Sequence, residues 1–118
     1  MKKLINDPTD YVDEMLDGMV AAHPELERLA DTEVVVRADG PTTDEVAVVS
    51  GGGSGHEPTH AGYIGDGMLA GAAAGAVFTS PTADQLAEMV READGGRGVL
   101  CVVKNYEGDV MNFDTGAE

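Results

Sequence analysis

The stretch from Glu45 to Gly62 reads EVAVVSGGGSGHEPTHAG, and its first half decides the fold. EVAVVS is a short β-branched run of the kind that forms a strand. The run Gly51 to Gly53, followed by Ser54, Gly55 and His56, then reads as a loop at the carboxyl end of that strand. Consecutive glycines permit positive φ and a close approach of backbone to a ligand. In an open α/β sheet, ligands collect outside the carboxyl ends of the strands. The stretch therefore frames both an architecture and a site.

Working outward, EVVVRA around Val34 to Val36 is a second strand, separated from the first by the turn chemistry of DGPTTD. Upstream, Asn6 or Asp7 before Pro8 predicts a helix start, and Val12, Met15, Leu16, Met19 and Ala22 recur at helical spacing until His23 and Pro24. Downstream, AGAVF ending at Phe78 is a weaker strand, because glycine and alanine pack poorly on a pleated surface. Ser80 and Pro81 read as a cap and a first-turn proline for a helix whose stripe is Leu86, Met89, Val90 and Ala93 and whose stop is Gly95-Gly96. GVLCVVK, Gly98 to Lys104, is a continuous apolar run that predicts a strand buried on both faces. Strands alternating with helices give an α/β fold with a mixed or parallel sheet flanked by helices. KNYEGD then follows a strand's carboxyl end just as SGGGSGHEP does, so the two polar loops are expected to face one crevice.

Composition narrows the function. In 118 residues, 22 acidic against 7 basic side chains give a formal net charge of −15. Such a surface repels nucleic acid and anionic membranes alike. The acids are scattered from Asp7 to Glu118, and only three lysines occur, which points to adaptation to high salt. The single cysteine, Cys101, excludes an intrachain disulfide, no signal-peptide-like run opens the chain, and MLAGAAAGAVF is too short to span a bilayer. A cytoplasmic protein with no membrane or nucleic-acid partner is the expectation.

His56-Glu57-Pro58-Thr59-His60 matches the zinc-hydrolase pattern H-E-x-x-H, which works only when both histidines share one helical face. Pro58 argues against a helix spanning both, so a helix would begin at Glu57 or Pro58 and leave His56 at its entrance. A third ligand would have to be an acid such as Glu88 or Glu92, and no metal site is expected. Gly51 to His56 also lacks the P-loop lysine, the last glycine of the dinucleotide fingerprint and the second glycine of a nucleophile elbow. A tight strand-to-helix turn and a backbone cradle fed by the following helix's dipole both remain open. His56, at a glycine-walled entrance, is a candidate acid/base. Lys104 and Asp109 of the second loop admit plain readings as a snorkelling surface cation and a helix cap, yet together with His56 they make a base, cation and acceptor set.

MKKLINDP, SGGGSGHEPTHAGYIGDGML, FTSPTADQ and GGRGVLCVVKNYEGDVMNF, in that order, resemble the amino-terminal part of the dihydroxyacetone-binding subunit of dihydroxyacetone kinases. The similarity runs along essentially the whole chain. It implies that residues 1–118 are a single partial domain of a kinase phosphorylating a terminal hydroxyl of dihydroxyacetone. It further implies that Gly53, Ser54, Gly55, His56, Lys104 and Asp109 bind substrate, with His56 and Asp109 sharing the catalytic work.

The family extends well beyond this length, and its later region carries a histidine that traps the substrate carbonyl as a hemiaminal. His23, His56 and His60 are the only histidines here, so the resemblance implies an amino-terminal fragment that is inactive by itself. It also implies that this chain binds no cofactor, with ATP or ADP and Mg on a nucleotide-binding kinase subunit or domain. A phosphotransferase-system phosphocarrier as donor, and a homodimer in the full-length form, are implied alongside. Two rivals are a non-catalytic relative that binds a carbonyl sugar and regulates a partner, and the H-E-x-x-H zinc hydrolase.

Overall fold

The computed structural model describes residues Met1–Glu118. Its elements are α1 (Tyr11–Ala22), β1 (Leu26–Arg28), β2 (Val34–Arg37), β3 (Ala47–Ser54), a short 3-10 turn (Ala61–Tyr63), β4 (Gly71–Val77), α2 (Ala83–Ala93), β5 (Val99–Val103) and α3 (Glu107–Ala117). The five strands form one sheet in the order β1-β2-β4-β3-β5. β4, β3 and β5 run parallel, while β2 joins β4, and β1 joins β2, antiparallel. The sheet is therefore mixed, within the expected α/β class.

Helices cover both faces. On one side α2 inserts Leu86 and Met89 against Val34, Val36, Ala47, Val49 and Ala73, with Phe113 of α3 in the same cluster. Burying each of these large side chains stabilises the fold by about 1.5–3 kcal/mol. On the other side α1 places Leu16, which is fully buried, over Leu26 and Val35. β2, covered on both sides, is buried along its whole length.

Several local expectations shift. Helix α1 starts at Tyr11, not at Pro8, because the Asp7 carboxylate accepts from the amide (2.9 Å) and hydroxyl (2.7 Å) of Thr9 and so closes a turn ahead of the helix. The cap of α2 is Thr82 rather than Ser80: Thr82 Oγ1 accepts from the Gln85 amide, and the Gln85 side chain accepts from the Thr82 amide. That reciprocal pairing sets the first turn two residues later than the proline predicted. Strand β1 was hidden because three residues, LER, carry no readable period.

Three corrections bear on the site. β3 does not stop at Ser50 but runs through the glycines to Ser54, hydrogen-bonded between β4 and β5. No helix follows the glycines; His56 to His60 form turns leading only to the 3-10 segment, so no helix dipole arises there. β5, expected to be buried on both faces, is the sheet edge, with Leu100 56% and Val102 52% exposed. It pairs with β3 alone, and no helix covers the face on which those two side chains lie.

Candidate functional site

The parallel register aligns Gly51 of β3 with Val103 of β5, which brings the chain leaving each strand side by side. Lys104 follows β5 directly, and Gly55 and His56 follow β3 directly. Between them opens a cleft of about 630 Å³ whose walls include His56, His60, Tyr63, Leu69, Val102 and Lys104. Of the site residues expected from the sequence, His56 and Lys104 share this cleft, while Gly53, Ser54, Gly55 and Asp109 are not among its walls.

His56 is exposed, and its ring stands edge-on to Phe78 with centroids 5.1 Å apart and planes at 61°. The Lys104 ammonium sits 4.8 Å from the centroid of the Tyr106 ring, a cation–π contact that holds the charge at the cleft. Asp109 is not the cap of α3, a position held by Tyr106; it lies in the helix's first turn. It is only 2% exposed, and its Oδ1 has no hydrogen-bond partner. A buried carboxylate oxygen normally has one, because its desolvation is otherwise uncompensated.

The glycine segment divides its duties. Gly53 packs on the end of β4, where an added Cβ would lie 2.6 Å from the Thr79 nitrogen. The Ser54 hydroxyl is buried and donates to the Gly75 carbonyl (2.7 Å), so it is spent on the sheet and leaves only the Ser54 backbone for any ligand. Gly55, at φ +107°, donates its amide to both carboxylate oxygens of Glu57 (3.1 Å each).

A residue weighed from sequence only as a metal ligand takes a defined place in the cleft wall. Ser50 Oγ lies 2.7 Å from the Val102 carbonyl oxygen and 2.8 Å from His60 Nδ1. A hydroxyl has one proton and a carbonyl can only accept, so Ser50 donates to Val102 and accepts from His60 Nδ1–H. His60 is thereby fixed as the Nδ1–H tautomer, with its Nε2 lone pair free. Burial holds the His60 pKa below the usual histidine value, and the charges of Lys104 and His56 add to the effect while Asp109 opposes it.

The zinc geometry is not present. His56 and His60 lie in turns rather than on one helical face, His60 Nδ1 is committed to Ser50, and no three His, Cys, Asp or Glu side chains converge as a metal-binding group. Ser50 and Gly52 share one face of β3, and His60 packs over both: a Cβ on Gly52 would lie 2.9 Å from His60 Nε2, a proximity that nothing in the sequence alone signals.

Comparison with known proteins places these features in a lineage. The chain is 56% identical over its whole length to the dihydroxyacetone-binding subunit DhaK of the PEP-dependent dihydroxyacetone kinase of Escherichia coli (strain K12), covering 33% of that protein. It is 53% identical, over 99% of its length and 35% of the relative's, to the corresponding subunit of the PTS-dependent kinase of Lactococcus lactis. Its fold superposes on the crystal structure of the dihydroxyacetone kinase from C. freundii in complex with AMP-PNP and Mg2+ with a TM-score of 0.92 and 43% identity, covering 98% of this chain and 22% of that one. It also matches the dihydroxyacetone kinase operon co-activator Dha-DhaQ, with a TM-score of 0.84 and 38% identity over 88% of this chain and 32% of that one. The chain spans about a third of the length of the curated subunits it matches. The Dak1 domain model matches residues 17–118, nearly the entire chain, and the chain belongs to that family.

Proposed function

We propose that this chain supplies the substrate-holding part of a dihydroxyacetone kinase, in which a terminal hydroxyl of dihydroxyacetone is phosphorylated. The observation that carries the reading is the cleft shared by His56 and Lys104, with Asp109 buried and its Oδ1 unpartnered in the first turn of the helix that follows Lys104. A buried acceptor without a donor suits a ligand hydroxyl that brings the donor with it. In phosphoryl transfer the attacking hydroxyl sheds its proton as it attacks, and a positioned acceptor lowers the barrier. His56 and Asp109 share that role in this reading. Lys104 binds substrate oxygen, and Gly53, Ser54 and Gly55 bind substrate through their backbone in this reading. The phosphoryl donor, ATP or a recharged ADP with Mg, belongs to a nucleotide-binding subunit or domain, with a phosphotransferase-system phosphocarrier as the recharging partner in the second case. Homodimerisation of the longer protein and a cytoplasmic setting complete the proposal; no helix of the chain is long and apolar enough to cross a membrane.

The test is Asp109→Asn in the longer protein that contains this sequence, assayed with its nucleotide-binding partner. The turnover rate is expected to fall by about 10²–10⁴-fold with substrate capture largely kept. Wild-type turnover in that variant would remove Asp109 from the chemistry. The likeness to the operon co-activator supports a second reading, a regulatory subunit that binds the same sugar without turning it over. Dihydroxyacetone binding by the longer wild-type protein without turnover, with either phosphoryl donor, would favour that reading.

A further inference from the structure

We infer that Phe78 is a positioning residue for His56, an assignment that rests on the role proposed above for that histidine. Phe78 directly follows β4 with its backbone in the left-handed region, at φ 52°, an uncommon conformation for a bulky non-glycine residue. Within residues 1–118 its side chain is 69% exposed, so no burial inside this segment offsets that strain. What the conformation achieves is placement: the ring meets the His56 imidazole edge-on at 5.1 Å. Such aromatic pairs favour one mutual orientation over others.

Three further contacts fix the ring relative to the loop. The Phe78 amide donates to the Ser54 carbonyl (2.7 Å), and the Ser54 hydroxyl returns to β4 at Gly75 (2.7 Å). The end of β4 is thus tied to the segment from which His56 projects. Gly55 completes the fit, since a Cβ there would lie 2.6 Å from the Phe78 ring. The glycine immediately before His56 is therefore the space into which the aromatic ring is laid. His56, by contrast, is exposed and its side chain makes no hydrogen bond within the chain, so the ring contact is what limits its rotation.

A role confined to stability and a role in positioning predict different things. Proton NMR of this chain should show His56 ring protons displaced by the Phe78 ring current and a nuclear Overhauser contact between the two rings. Phe78→Tyr should keep both signals, and Phe78→Leu, which preserves apolar bulk, should lose both. Phe78→Gly relieves the left-handed strain, so it should fold at least as stably as the wild type while also losing the His56 signature. His56 signals unchanged in the leucine and glycine variants would overturn the assignment. In the longer protein, the leucine variant should lower kcat by about 2- to 10-fold, the span of orientation preference in an aromatic pair, with KM unchanged. Phe78→Tyr should restore the rate. A rise in KM at constant kcat would instead mark Phe78 as a substrate contact and reject the positioning role. Normal kinase turnover by His56→Asn would sink the proposed chemistry of His56 and leave the spectroscopic result standing, so the two failures are separable.

Discussion

Ser50 and His60 share one hydrogen bond whose direction is fixed by a third group, the Val102 carbonyl, which takes the only proton the serine can give. The contact joins β3, the loop after it and the edge strand β5. Ser50→Ala removes the acceptor for His60 Nδ1–H and should cost about 1 kcal/mol of stability, the usual worth of a side-chain hydrogen bond. It should also release the tautomer, so the two His60 nitrogen resonances should move toward each other in 15N NMR. Unchanged resonances in the alanine variant would mean that something other than Ser50 selects the tautomer.

The same histidine makes stability depend on pH. Its folded pKa is depressed below the ordinary 6.5, chiefly by burial and then by the Lys104 charge. The unfolded chain therefore takes up the proton first as pH falls. The contribution is fully present above 6.5 and is lost as pH drops through the folded value. Urea midpoints of the wild type should decline over that window more steeply than those of His60→Asn. Parallel curves would show that His60 is not the titrating group.

Gly52 and Gly53 are neighbours with different tolerance for a methyl group. A Cβ on Gly52 meets the tip of the His60 side chain at 2.9 Å, which can give way at the expense of its bond to Ser50, whereas on Gly53 it meets Thr79 backbone at 2.6 Å, which cannot. Gly53→Ala should therefore cost about 1–3 kcal/mol, in the range of overpacked interiors, and Gly52→Ala clearly less. Thermal denaturation of the pair decides the order, and an inverted order would contradict the packing described for the end of β4.

The surface charge makes a separate prediction. With a net charge of −15 and few cations to offset it, the folded state repels itself in dilute buffer. Stability followed by circular dichroism should keep rising between about 0.1 and 2 M KCl, beyond the first few tenths molar where simple screening is complete. Saturation at low salt would leave general screening as the whole effect and remove the basis for a high-salt adaptation.

Elements whose signals are local were legible in the amino-acid order alone. The stripe Leu86, Met89, Val90 and Ala93 specifies α2 because residues three and four apart must share a face, and the runs around Val34 to Val36 and Val99 to Val103 specify strands because β-branched side chains suit a pleated surface. The amino-acid order also placed both polar loops after strands, and hence both at one end of a sheet. What it did not contain was the company each element would keep. Gly51 to Gly53 looked like a loop because glycine is a poor strand former, yet they are strand residues paired with β4, in a space where a Cβ would meet Ala73 at Gly51, the His60 ring at Gly52 and the Thr79 backbone at Gly53. β5 looked doubly buried, yet it is an edge, because the apolarity of a run does not say how many neighbours will cover it. The tautomer of His60, the ring of Phe78 against His56 and the burial of Asp109 were likewise decided in three dimensions. Each depends on groups from separate strands and helices, brought together by the order in which the strands pair, and that order is set by long-range packing rather than by any local period.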